Sequence, residues 1–363
     1  MTVALHRRVG RAGVPWPRVL VVTAASTAIV AAIAWAVVRP AVWTVRSSPS
    51  AATRFLERYV DGDGRVVRLD QGGDTVSEGQ AYGMLLAVAA GDRTRFASTW
   101  HWTSDHLLQP DGLLAWHWAN GAVADPMAAA DADVDAAWAL ALAANRFGDR
   151  EYREAARRLA GAVLERETVT VEGQAVLVAG PWAKTAPYTV NPGYLPAPAA
   201  RVLAGVSGDD TWRTLEDTSS RLIDRLTQHG SQLPTDWAKV NPNGDVWPDA
   251  GPGRASGSPS FGLEAARVLL WNGNGCGRRW TGLVAAARPL MDGRSGSSRP
   301  DTVMVAARAA VANAAGDRGT AHRLVREAGG LDADHPTYFG GTWVGLAEAL
   351  YTTHTLPSCG TQK

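Results

Sequence analysis

The sequence predicts an all-α fold class, about a dozen helices behind one apolar N-terminal span. Three observations carry that prediction. Helical windows recur from residue 50 to residue 353, strand-like alternation appears in one place only, and residues 19–38 contain no charge. Over roughly 310 residues the windows give about 26 residues per helix and connection, with helices near the usual length of about 10–14. Twelve helices of that size can close into two concentric rings. No repeat of fixed period favours an open solenoid.

The apolar span VLVVTAASTAIVAAIAWAVV is 20 residues long, with Thr23, Ser26 and Thr27 as its polar members. At roughly 1.5 Å per residue it reaches across a hydrocarbon core of about 30 Å and predicts a transmembrane helix. Arg7, Arg8, Arg11 and Arg18 precede it, so residues 1–18 are expected to stay cytoplasmic and everything beyond Arg39 to lie outside. Ala34-Trp35-Ala36 offers a small-x-small pattern, which leaves a cleaved signal and a secreted chain as the alternative. Signal cores run only about 7–15 residues, which favours an uncleaved anchor. Residues 39–50 read as a linker, and 51–360 as one folded domain.

Within that domain the segment 50–60 opens the helical series. Ser77 and Gln80 have capping-box spacing ahead of a helix to residue 90. Asp92 is placed to cap a helix over 93–108, with Phe96, Trp100 and Leu107 on one face. Further helices are expected over 133–147 (stopped by Gly148), 150–167, 197–204, 210–229, 261–270, 280–290, 302–315, 318–327 and 342–353. The exception is 168–178, TVTVEGQAVLV, which reads as two strands around Glu172-Gly173. The Gly-, Pro- and Ser-containing stretch 241–260 reads as a surface loop.

Composition excludes several functions. With 36 Lys+Arg against 35 Asp+Glu the net charge is +1, and basic residues are interspersed with acidic ones beyond the N-terminal cluster, so no nucleic acid is expected as partner. Two cysteines, Cys276 and Cys359, make no disulfide scaffold but can pair in an oxidising space. The eight histidines are dispersed, and neither a metal nor a cofactor is expected. Among the aromatic residues 15 are Trp, against 7 Tyr and 5 Phe. Indole rings stack on the C–H faces of sugars, although most of these rings are expected in the core.

The chemistry starts at TVSEGQAYGM, where Glu78 stands in the first turn of a helix with Tyr82 one turn on. The helix dipole lowers the pKa of such a carboxyl. A general acid needs the opposite, so burial or a neighbouring carboxylate has to outweigh the dipole. Asp131, Asp133 and Asp135 gather at a second helix entrance; one Asp suffices for a cap, and no EF-hand spacing follows. The surplus points to sugar hydroxyls. Trp116 and Trp118 in GLLAWHW offer stacking rings or core residues. Glu264 and Arg267 stand three apart, either as a site pair or as a surface ion pair.

Five segments in order resemble the motifs of glycoside hydrolase family 8: SEGQAYGMLLAV (77–88), ADADVDAAWALALAANRF (130–147), NPGYLP (191–196), LPTDW (233–237) and LEAARVLLW (263–271). Within that family they are most similar to the endoglucanases that accompany bacterial cellulose synthases. The resemblance implies an (α/α)6 barrel over 51–360 that hydrolyses β-1,4-glucan with inversion. It further implies Glu78 as general acid, Glu264 in the general-base position oriented by Arg267, and Asp131 holding the sugar at the point of cleavage. Trp116, Tyr194 and Asp236 would border the glycan, and Tyr82, Asp133 and Arg267 complete the binding set. The family's Tyr-Asp-Ala-x-Arg stretch reads Leu263-Glu264-Ala265-Ala266-Arg267 here, and Ala130 stands where Ser or Thr is usual. Chitosan, lichenan or xylan as substrate, or glycan binding without hydrolysis, are the alternatives.

Overall fold

The computed structural model describes residues 49–253, 257–273, 280–291 and 301–357. The expected membrane span, Cys276 and Cys359 lie outside them. Among the described residues no helix is long and apolar enough to cross a membrane.

Six helices are sheathed on nearly every side: α2 (Ser77–Ala90), α4 (Ala130–Phe147), α6 (Ala197–Ser207), α8 (Leu263–Asn272), α11 (Thr302–Ala314) and α13 (Tyr338–Ala347). Their sequences explain this. In α4 and α11 alanine is the commonest residue, and its small side chain lets helices approach closely. Each packs on the next in chain order, and α13 returns to α2, which closes a ring. The outer helices are α1 (Ala51–Tyr59), α3 (Arg93–His106), α5 (Arg150–Arg166), α7 (Thr211–Leu226), the pair α9 (Trp280–Ala286) and α10 (Arg288–Met291), and α12 (Arg318–Asp334). Each precedes an inner helix, so the chain runs outside, inside, six times over. That is the expected helical toroid, built of six hairpins.

Rings of different hairpins fill the middle. Trp138 of α4 meets Trp271 of α8 at 5.6 Å between centroids, Trp271 meets Trp343 of α13 at 5.2 Å, and Trp343 meets Tyr82 of α2 at 5.6 Å, all edge to face. First and last hairpins are joined at the seam, where the amide of Ala51 donates to Glu348 Oε2 at 2.6 Å.

Strand content departs from expectation. The hairpin β4 (Thr168–Val171) and β5 (Gln174–Leu177) is present, turning at Glu172 and Gly173, both at positive φ as a two-residue turn demands. Two further antiparallel sheets accompany it: β1 (Thr75–Val76), β2 (His117–Ala119) and β3 (Ala122–Asp125), then β6 (Tyr188–Val190), β7 (Trp237–Val240) and β8 (Val246–Asp249). Strands of two to four residues carry too little alternation to announce themselves. Here β8 occupies part of the stretch expected to be loop.

The expected capping box is also replaced. Helix α2 begins at Ser77 directly from β1, and the Ser77 amide donates to the carbonyl of Trp116 at 2.9 Å. Gln80 turns inward instead, accepting from the amide of Val66 at 2.5 Å and donating to Thr103 Oγ1 at 2.9 Å. Asp92 does cap α3, through the amide of Arg95. Helix α4 starts at Ala130, earlier than expected, so Asp131, Asp133 and Asp135 all lie inside it and none is its cap.

Candidate active site

Glu78 arrives in the first turn of α2 because β1 pairs with β2 and delivers the chain straight into the ring's mouth. Gly79 follows for want of space: a Cβ there would stand 2.8 Å from Tyr338 Oη of α13. From the second hairpin comes Asp131, and from the fourth come Glu264 and Arg267. One guanidinium gathers them. Arg267 Nη1 donates to Glu78 Oε1 at 2.8 Å and to Asp131 Oδ2 at 2.7 Å, while its Nη2 pairs with Glu264 Oε2. Arg267 is only 1% exposed, so the surface ion pair that its spacing from Glu264 allowed is not what forms. Tyr194 places its ring 5.0 Å from the guanidinium carbon.

Three carboxyls on one cation leave an excess of negative charge in a desolvated place, and a proton relieves it. Glu78 is the carboxyl shifted toward holding it. Burial pushes its pKa up to about 7; Arg267 opposes the rise, and the neighbouring Asp131 reinforces it. Burial thereby outweighs the guanidinium. Asp135, a turn beyond Asp131, is raised well above the carboxylate range by burial and by Asp131.

Tyr82 and Asp133 fall elsewhere than expected. Tyr82 is fully enclosed; its hydroxyl donates to Glu78 Oε1 at 3.1 Å, so it steadies Glu78 and offers no surface to a sugar. Asp133 lies on the opposite side of α4 from Asp131, wholly buried, where Oδ1 accepts the amide of Leu114 at 2.9 Å. Residues two apart on a helix face away from each other, which excludes Asp133 from the Arg267 cluster. Asp236 serves α8: its Oδ1 accepts the amides of Gly262 at 2.9 Å and Ala265 at 2.8 Å, capping from a distant loop the helix that carries Glu264. Trp116 is half-buried beside Ser77.

Asn191 is a site residue that the sequence reading missed. Its Nδ2 donates to Glu264 Oε2 at 3.2 Å, and its Oδ1 accepts the Gly193 amide at 2.9 Å, which fixes the amide's orientation. The NPGY segment was the available signal. Among the described residues no group of His, Cys, Asp and Glu has the arrangement to hold a metal.

The sequence profile described as "Glycosyl hydrolases family 8" matches residues 19–272. The chain belongs to glycoside hydrolase family 8. It is 30% identical to an endoglucanase of Cellulomonas uda over 229 residues, which is 61% of this chain and 62% of that one. It is 32% identical to a probable endoglucanase of Novacetimonas hansenii over 231 residues, 60% of this chain and 64% of that one. The chain thus covers a little under two thirds of the length of these relatives. Its fold is that of a family 8 endoglucanase from Klebsiella pneumoniae (TM-score 0.68, 24% identity, covering 82% of this chain and 97% of that one). A family 8 endo-β-1,4-glucanase from an Achatina fulica gut metagenomic library shares it too (TM-score 0.70, 22% identity, covering 87% and 99%).

Proposed function

We propose that this family 8 member is an endo-acting hydrolase of β-1,4-glucan that inverts the anomeric carbon. The observation that carries the reading is Glu78, a carboxyl with a pKa of about 7 bonded to the guanidinium that also holds Asp131 and Glu264. In this reading protonated Glu78 gives its proton to the glycosidic oxygen as the C–O bond breaks. Glu264 takes a proton from a water that attacks the anomeric carbon from the other side, and both carboxyls then re-equilibrate with solvent. Arg267 and Asn191 both engage Glu264 Oε2, which directs Oε1 to the water. Asp131 would hold a sugar hydroxyl, with Trp116 and Tyr194 bordering the glycan. Endoglucanase is the name carried by the relatives in Cellulomonas uda and Escherichia coli, which supports the substrate class.

The full chain, incubated separately with carboxymethyl-cellulose, lichenan, chitosan and xylan, tests this. We expect rapid loss of viscosity with carboxymethyl-cellulose and an α-anomer as the first product by NMR. Preference for another polymer would move the substrate assignment within the family. Binding without cleavage of any would make the chain a glycan-binding homologue.

We further propose that residues 19–38 anchor the protein in the cell membrane with 1–18 inside and the hydrolase domain outside, where it trims glucan in functional association with a cellulose synthase. The uncharged run and the arginines before it support this topology. Protease added to spheroplasts should digest the domain; its full protection would refute export. A mature chain beginning near Val37 would show a secreted protein instead.

A further inference from the structure

Around Trp116 lies a set of contacts that the proposed chemistry does not use. The ring of His117 stacks on that of Trp116 at 4.8 Å between centroids and 28° between planes. His117 Nε2 is 2.9 Å from Asp74 Oδ2. Arg68 grips the same carboxylate with two bonds, Nε to Oδ1 at 2.7 Å and Nη2 to Oδ2 at 2.5 Å. The side chain of Trp116 also interacts with Asp125 and helps hold that carboxyl below its usual range. Asp74 precedes β1, the strand that leads into Glu78, and His117 lies in β2, paired with Val76. The Arg68-Asp74-His117 chain therefore ties the strand that leads into Glu78 to the Trp116 ring.

We infer that His117, fixed by Asp74 and Arg68, is a positioning residue that sets the plane of the Trp116 ring relative to Glu78 for the stacking of a β-linked sugar. The inference rests on the reading of Trp116 as a border of the glycan site. A flat indole supports a sugar only when its face lies parallel to the pyranose, and the stacked His117 ring braces one face of Trp116. Two features make this clamp rigid. The Arg68 to Asp74 contact is a bidentate, charge-assisted pair that fixes the carboxylate in plane. Bonds and charge from Arg68 and His117 overcome partial burial and hold Asp74 below the ordinary carboxylate range, so it stays ionised as an acceptor. A sugar stacking on Trp116 then meets a ring whose orientation is already set, and little entropy is lost on binding.

The test uses the full chain. Binding of cellohexaose is measured by calorimetry in a Glu78→Gln background, where the ligand is not consumed, and KM and kcat on carboxymethyl-cellulose are measured with Glu78 intact. His117→Phe keeps a flat ring against Trp116 and deletes the link to Asp74. We expect it to weaken cellohexaose about fivefold and raise KM by a similar factor, with kcat changed less than twofold, while Trp116→Ala weakens binding about tenfold or more. If Trp116→Ala weakens binding and His117→Phe does not, the clamp is refuted and the role of Trp116 stands. If neither weakens it, Trp116 is no sugar platform and both readings fall. A fall in kcat with KM unchanged would also overturn the inference. Should His117→Phe not fold, Asp74→Asn, which keeps shape and drops charge, carries the same expectation.

Discussion

Arg267 Nη1 lies 2.8 Å from Glu78 Oε1, so the carboxyl proposed as general acid is bonded to a permanent cation. In isolation that contact would hold Glu78 ionised. Burial, reinforced by Asp131, outweighs the guanidinium and raises the Glu78 pKa to about 7, a balance that either partner can tip.

Glu78→Gln keeps size and hydrogen bonding but cannot protonate a leaving oxygen. Turnover of glucan should fall by about 10²–10⁴ with binding retained. Aryl glycosides with activated leaving groups, which need little protonation, should suffer less. Initial rates on the two substrate types check this.

Glu264→Gln should abolish turnover on both kinds of substrate, because water activation is needed whatever the leaving group. Near-full activity would place the base elsewhere, with Asp131 and Asp236 next in line. In Glu264→Asp the carboxyl retreats by one methylene from Asn191 and Arg267, and its rate reports how tightly that distance is set.

The alkaline limb of activity should follow Glu78. Because the acid form is the reactive one, rate should decline as pH rises through about 7. Asp131→Asn removes a charge that raises this pKa, so the limb of any residual activity should move to lower pH. A pH profile of kcat/KM on carboxymethyl-cellulose checks both.

Asp236→Ala should cost about 1 kcal/mol in stability, the ordinary worth of a helix cap, together with a loss of activity larger than that cost alone explains. The helix it caps begins with Leu263 and Glu264, so fraying displaces the carboxyl directly. Thermal unfolding measured beside turnover separates the two effects.

Asp133 and Glu167 should make the fold alkali-sensitive. Both are enclosed, and burial is the main cause holding each well above the carboxylate range, with nearby carboxylates adding to it. A group raised on folding binds more protons folded than unfolded. Its stabilisation is full below the unfolded value of about 4 and declines as pH rises through the folded one. Asn at 133 or Gln at 167 should flatten that decline in denaturant titrations at pH 5 to 9.

Much of the ring was legible because its inner helices are written in alanine and leucine at lengths that only a helix uses. Residues 133–147 and 78–90 need no partner to declare themselves. Glu78, Asp131, Glu264 and Arg267 were found through short motifs that fix residue type at close spacing. Asn191 and the capping role of Asp236 were not, because each acts on a residue 26 to 73 positions away. Asp133 was misplaced for a related reason: spacing by two reads as a cluster in sequence and as opposite faces on a helix. The short strands that aim Glu78 and Trp116 are set by loop pairing, which leaves no local pattern.

The ring has a consequence for how this protein comes into existence. Glu78 and Arg267 are 189 positions apart, and the seam that locks the circle joins Ala51 to Glu348, 297 positions apart. Closure entropy must be met before any of these contacts repays it, so the ring is expected to form late and in one cooperative step. A nascent chain carries Glu78 from early in synthesis, yet Arg267 reaches it only when the fourth hairpin arrives. The candidate site is therefore completed by topology only as the ring closes.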